Sequence, residues 1–165
     1  MTSTTRDGST IDVRPYEHAD AAATLALFLA AITETASADY SAEQIQAWAD
    51  PEGRDLDRWD AAMQARESFV ATIDGQVAGF SDIGHDGYVD MMFVAPKFGR
   101  RGVARTLLAT DEKLARDRGV GGLSADVSIT ARPFFESQGF VVVAEQRPVR
   151  RGVALTNFRM RKLLQ

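Results

Sequence analysis

Residues 94–105, Val94-Ala95-Pro96-Lys97-Phe98-Gly99-Arg100-Arg101-Gly102-Val103-Ala104-Arg105, gather the residue types that hold a phosphate. Gly99 and Gly102 let a backbone approach an anion that a Cβ would hold off. Arg100, Arg101 and Arg105 carry forked donors that pair with phosphate oxygens. Two elements must aim this chemistry. Ahead of it, residues 88–94 read as a strand. Behind it, residues 103–118 read as a helix with Val103, Leu107, Leu108 and Leu114 on one face. The first turn of such a helix offers N–H groups without partners and the positive end of the helix dipole. Strand, basic glycine loop and helix therefore make an anion cradle.

Several ligands and chemistries are excluded. No G-x-x-x-x-G-K-[ST] is present, and no G-x-G-x-x-G follows an early strand, so the cradle is neither a nucleotide P-loop nor a dinucleotide fingerprint. A net charge of −4 argues against a nucleic-acid partner. No apolar run reads as long enough to span a bilayer. Residues 1–10 read as a polar tail without the apolar stretch of a signal peptide. A cytoplasmic protein with no membrane partner is the expectation, and the absence of cysteine fits it. Without a thiol there is no cysteine nucleophile, Zn–thiolate site or iron–sulfur cluster. With only His18 and His85 as histidines, no metal site is expected.

At 165 residues the chain is one domain by size, with its folded part expected over 11–165. Residues 11–14 alternate as a half-exposed strand, closed by Pro15. Residues 18–33 carry Leu25, Phe28, Leu29 and Ile32 at helical spacing. Ser41, three residues before Gln44, opens a second helix with a capping box, which stops before Pro51. A third helix spans 55–66. Strands at 68–73 and 76–82 flank Asp74-Gly75, a two-residue hairpin signal. Beyond the long helix come a strand at 123–127, a short helix at 130–138 stopped by Gly139, a strand at 140–145 and a last strand at 153–160. The order predicts a single-domain α/β fold, its mixed and mostly antiparallel central sheet flanked by helices, with one parallel pair across the long helix.

Two stretches carry a resemblance. Arg101-Gly102-Val103-Ala104, after an aliphatic strand and a proline, resembles motif A of the GNAT superfamily, Q/R-x-x-G-x-G/A. Gly102 and Ala104 match, and Gly99 stands where Gln or Arg is usual. Residues 128–140 resemble motif B, N-x-x-A-x-x-F-Y-E-x-x-G-F, through Ala131, Phe134, Glu136, Gly139 and Phe140. Ser128 replaces the Asn, and Phe135 replaces a Tyr taken to protonate the departing CoA thiolate. Arg151-Gly152-Val153 and Leu155-Thr156-Asn157-Phe158 are similar to the tail of a bacterial subfamily of small N-acetyltransferases. Asp39-Tyr40-Ser41, Glu43-Gln44 and Ala47-Trp48 match a further segment of it.

The resemblance covers nearly the whole chain and implies the GNAT fold and acetyl transfer from acetyl-CoA to an amine. It places the pantetheine arm on backbone groups of Met92, Phe93 and Val94. The phosphates fall on Gly99, Arg100, Arg101, Gly102, Val103, Ala104 and Arg105, and Phe134 completes the cofactor set. A thioester already holds a leaving group with a thiol pKa of ~8.5, so loss of the Tyr costs little, and Ser128 could donate instead. The acceptor needs more help: an alkylamine of pKa ~10.4 is mostly protonated at neutral pH. If 88–94 is one strand, Tyr88, Asp90, Met92 and Val94 share a face, and the family implies a base on it. Tyr88 and Asp90 are the candidates, with Asp82 next. Tyr40, Trp48 and Asp82 are expected on the acceptor side, and a small-molecule amine is the expected partner. Two other readings stay open: a CoA-binding sensor that has lost turnover, and a protein or peptide N-acetyltransferase. Sheet edges admit a homodimer.

Overall fold

In the computed structural model, which describes residues 2–5 and 7–165, Asp74 and Gly75 take φ of 50° and 77°. That left-handed pair closes the tight turn between β3 (Phe69–Ile73) and β4 (Gln76–Ser81). Every residue of β3 is buried, because both sheet faces are covered there. Helices α1 (Ala21–Ala30) and α3 (Leu56–Ala65) pack on one side and α4 (Val103–Asp117) on the other. With β1 (Thr2–Thr4), β2 (Thr10–Pro15) and β6 (Met92–Val94), these strands form an antiparallel sheet in the order β1-β2-β3-β4-β6. A second sheet has the order β5-β7-β11-β8, built from β5 (Tyr88–Val89), β7 (Gly122–Ser128), β8 (Val141–Gln146) and β11 (Asn157–Leu163). Among the described residues only β5 and β7 run parallel, joined by the crossover through α4. This is the mixed, mostly antiparallel α/β fold that the element order predicts.

Helix α4 holds the two sheets together. Val103, Thr106 and Leu107 are buried on the first sheet's side, while Leu108 and Ala115 belong to a second core with Leu123, Ala125, Val127, Phe135 and Met160. Gly79 allows this packing. A Cβ there would sit 2.9 Å from both the Phe93 carbonyl oxygen and Val103 Cγ1. Asp111, on the same helix, is fully buried and accepts a hydrogen bond from Ser81 Oγ at 2.8 Å, while its other oxygen has no partner among the described residues. Burial pushes its carboxyl well above the usual range.

Helical structure runs unbroken from His18 to Ala38. After α1 it widens into a π turn at Ala31–Thr35 and ends in a 3₁₀ turn at Ala36–Ala38. The second helix, α2 (Ala42–Ala49), opens with the expected capping box, Ser41 and Gln44 each bonding the other's backbone N–H. Short α5 (Arg132–Ser137) follows β7.

Four sequence expectations need correction. Residues 88–94 are not one strand: β5 belongs to the second sheet and β6 to the first, with Asp90 and Met91 between them. Residues 153–160 also divide. β9 (Val149–Arg150) and β10 (Val153–Ala154) form their own hairpin around Arg151 and Gly152, at φ 49° and 79°, and β11 starts afresh at Asn157. The expected polar tail supplies β1, whose Thr2, Ser3 and Thr4 pair with Asp12, Ile11 and Thr10. Finally, His18–Ala38, with a mean hydropathy of 1.5, is long and apolar enough to cross a membrane by length and composition. Its apolar side is spent inside the fold, where Phe28 meets Trp59 at 5.0 Å and Phe93 at 4.9 Å between ring centroids.

Asp111 holds its proton to higher pH when folded than when unfolded. Its favourable contribution is therefore complete at acid pH and declines as pH rises above the ordinary carboxyl range. The melting temperature of Asp111→Asn minus that of the parent should grow between about pH 4 and about pH 8. Thermal denaturation across that range checks it; a difference independent of pH would contradict a neutral Asp111.

Candidate active site

The site begins where the chain changes sheets. Tyr88 and Val89 pair with Ser124 and Ala125; Met92, Phe93 and Val94 pair with Ser81, Phe80 and Gly79. Between them the amides of Asp90 and Met91 donate to Oδ1 and Oδ2 of Asp82, at 2.9 and 3.2 Å. Arg66 Nε reaches the same carboxylate at 3.2 Å. Asp82 is 2% exposed, and burial pushes its carboxyl up to about 6, which leaves it ionised at neutral pH. It holds the sheets apart: the sequence suggests a place on the acceptor side, but burial and these three partners turn both carboxylate oxygens inward.

The splay leaves β6 and the end of β7 with open edges facing one another. Between them lies a cavity of about 250 Å³ walled by Met92, Phe93 and Val94, by the residues from Ala125 to Ser128, and by Ala104, Phe134 and Phe135. Ala31, Thr35 and Ala36 of the widened helix close one side. Phe135 is buried against Phe134 and Phe140 and brings no hydroxyl group.

At one end of this cleft stands the cradle. Pro96–Phe98 makes a 3₁₀ turn in which Gly99 N–H donates to the Pro96 carbonyl at 3.1 Å. The Gly99 amide is thus consumed in the turn, and it is not one of the free anion donors expected of it. Gly102, at φ 89°, caps α4, and the first helical bond runs from Thr106 N–H to the Gly102 carbonyl at 3.0 Å. The N–H groups of Val103, Ala104 and Arg105 therefore have no partner within the helix. No atom lies within 4 Å of a Cβ built on Gly102, so the space before these amides is open. A groove of about 740 Å³ runs past Ser3, Thr4, Arg100, Arg101, Arg105 and Thr106. Arg101 is tied to Asp7 and lies over the Phe98 ring at 5.7 Å, whereas Arg100 and Arg105 are in no ion pair among the described residues. Free amides, unpaired guanidinium groups and an apolar cleft beside them suit a diphosphate with a long, thin arm, as CoA has.

A second cavity, of about 580 Å³, adjoins the cleft; Trp48, Asp90, Phe93, Asp126 and Ser128 line both. Ser128 Oγ accepts the Ala131 N–H at 3.1 Å. Tyr40, whose ring meets Trp48 at 5.5 Å, donates its hydroxyl proton to the Thr156 carbonyl at 2.6 Å and accepts the Ile129 N–H at 2.9 Å. It braces the cavity wall. Asp90 is half exposed, 3.6 Å from Arg66. Tyr88 donates to Asp126 at 3.0 Å, and Asp126 also takes Arg159 Nε at 2.6 Å and Gln146 Nε2 at 2.8 Å. Burial and the Asp126 charge push the Tyr88 phenol up to about 12, so it keeps its proton at neutral pH. Sequence reasoning missed Arg54, Arg150 and Asp126 on these walls. Asp126 alternates out of β7 and was legible as polar; Arg54 lies in an irregular segment that no periodicity marks.

A phosphate cradle, an apolar cleft and a second cavity sharing its wall define a transferase that takes a group from CoA. Residues 36–162 match the family of GNAT acetyltransferase domains. YafP, an uncharacterised N-acetyltransferase of Escherichia coli K12, is 43% identical over 152 residues, which is 92% of this chain and 95% of that protein. A GCN5-related N-acetyltransferase from Rhodopseudomonas palustris superposes with a TM-score of 0.89 at 34% identity, covering 99% of this chain and 98% of that one. PaiA N-acetyltransferase from Thermoplasma acidophilum, solved with coenzyme A, shares the fold at 18% identity and a TM-score of 0.74, over 93% and 99% of the two chains. The chain belongs to the GNAT family of acetyltransferases, with acetyl-CoA as cosubstrate.

Two substitutions test the assembly. Gly102→Glu fills and charges the cradle and should abolish acetyl-CoA binding by calorimetry while the protein still melts cooperatively. Asp82→Ala strips two amides and Arg66 of their acceptor. It should cost about 3 kcal/mol of stability and weaken acetyl-CoA binding, read by denaturation and calorimetry. Unchanged affinity in either variant would contradict the assignment.

Proposed function

We propose that the chain moves an acetyl group from acetyl-CoA to the primary amine of a small-molecule acceptor, by direct attack within a ternary complex, in the cytoplasm. The observation that carries this reading is the shared wall: Asp90 and Ser128 line both the CoA cleft and the second cavity. With no cysteine in the chain, an acetyl-cysteine intermediate is impossible, which favours direct attack of the acceptor on the thioester.

Asp90 takes the proton that the ammonium of the acceptor must lose, directly or through one water. The amine nitrogen then bonds to the thioester carbonyl carbon, the carbon–sulfur bond breaks, and the second proton left on the nitrogen passes to water. An N–H on the open edge of β6 faces the developing charge on the carbonyl oxygen. Ser128 Oγ, which accepts the Ala131 N–H, has its own proton free for the departing sulfur. A thiolate of conjugate-acid pKa ~8.5 leaves without a stronger acid, which fits a chain with Phe135 where a phenol is usual.

Release of CoA thiol, followed across an amine library, tests the reading. Asp90→Asn should lower kcat/KM by about 10²–10⁴ on whichever amine is used. Buried Phe135 favours one alternative, a CoA-binding sensor; tight acetyl-CoA binding with no turnover of any amine would support it. Acetylated proteins in a mass-spectrometric survey would instead support a protein acceptor. Val141 and Val143, 63% and 55% exposed on edge strand β8, are the surface we assign to a homodimer.

A further inference from the structure

The second cavity carries an uneven charge that the acetyl-transfer chemistry does not use. At the end formed by the C-terminus of α2 and the β9–β10 hairpin stand Arg54, Arg150 and Arg151. Arg151 is paired with Asp50. Arg54 and Arg150 have no carboxylate within ion-pair distance among the described residues. Arg54 is half-buried. Its Nε and Nη2 bond the carbonyls of Ala49 and Trp48 at 3.0 and 2.9 Å, its guanidinium lies 4.7 Å over the Phe28 ring, and Nη1 is in no hydrogen bond among the described residues. Burial and the nearby charge of Arg150 both disfavour its protonated form. At the opposite end Arg66 serves two carboxylates, Asp82 and Asp90, and Arg159 serves Asp126. The cavity thus has two uncompensated positive charges at one end and one uncompensated negative charge at the other.

Two like charges beside one half-enclosed space repel, and neither has a carboxylate partner among the described residues. Capping α2 does not account for the pair, because Arg150 makes none of the capping bonds. We propose that the acceptor is an amine that also bears an anionic group, a carboxylate or a phosphate, which seats on Arg54 and Arg150 while the amine points to Asp90 and Ser128. The arrangement fixes polarity as well as class. An ammonium is drawn to the end where the thioester lies, and an anion to the end away from it, so the acceptor enters in one orientation. The inference rests on the acetyl-transfer reading of the same site.

The test uses the full chain, saturating acetyl-CoA, and matched acceptors that differ only in the anionic group: an ω-amino acid, the aminoalkyl phosphate of equal length and the plain alkylamine; then aminobenzoate and aniline. Charged hydrogen bonds of this kind correspond to about a tenfold or greater preference in kcat/KM for the anionic member. Arg150→Ala, on an exposed hairpin where folding is not at stake, should raise KM for the anionic members about tenfold with kcat little changed, and shrink the preference. Equal or better use of the uncharged amines, or an unchanged preference in Arg150→Ala, would overturn the inference while leaving acetyl transfer intact. If no amine is acetylated at all, calorimetry with the matching amine-free carboxylate and alkyl phosphate, CoA present, separates the two. Binding that disappears in Arg150→Ala keeps the anion site and removes the acetyl-transfer reading; no binding of either probe removes the anion site. The ratio between the carboxylate and phosphate arms tells which anion the pair prefers.

Discussion

One carboxylate decides the shape of this molecule. A strand that leaves its sheet exposes backbone N–H groups, and burying them without acceptors costs about 1–3 kcal/mol each. Asp82 supplies both acceptors at once, to Asp90 and Met91, and is itself compensated by Arg66. That triangle lets β5 and β6 go to different sheets within a few residues. The divergence creates the facing open edges, and these make the cleft. Everything the site does depends on two amides being satisfied by a side chain instead of a neighbouring strand.

The divergence also explains why the protein has two cores. Leu107 is buried in one cluster and the adjacent Leu108 in the other, while Met92, Leu114 and Ile129 touch both. Neighbouring positions on α4 therefore serve different sheets, so the helix keeps a fixed position over the gap it caps. Its N-terminal amides are aimed by this packing, with Val103 buried and its neighbours Gly102 and Arg105 lining the groove.

Much of this was legible in the sequence. The hairpin at Asp74-Gly75, the capping box at Ser41 and the glycine-arginine loop before a helix are local signals whose physics does not need the rest of the chain. The splay was not legible, because residues 88–94 alternate like any half-buried strand and side-chain periodicity says nothing about which group accepts an amide. For the same reason Asp82 read as an acidic residue available to substrate. Tyr88 read as a base because its proton acceptor, Asp126, is remote in sequence and arrives only when β5 and β7 pair. Residues 2–4 read as a tail because threonine and serine carry no hydrophobic alternation; β1 is held by edge pairing and by Ser3 Oγ meeting Thr106 Oγ1 at 2.7 Å.

The π turn at Ala31–Thr35 sets the rotational phase of the 3₁₀ turn and the chain beyond it. A turn of this kind accommodates one more residue than α geometry would. Excising a single position there would restore regular winding and rotate every later side chain of the helix by about 100°. Thr35 and Ala36 would swing off the cleft, and the path to Tyr40, whose hydroxyl bridges Ile129 and Thr156, would shift with them. Relatives that differ by a one-residue indel at this point would keep the phosphate cradle at the head of α4 yet present a differently shaped cleft and chamber, a route by which one scaffold diversifies what it modifies while its grip on the phosphates stays in place.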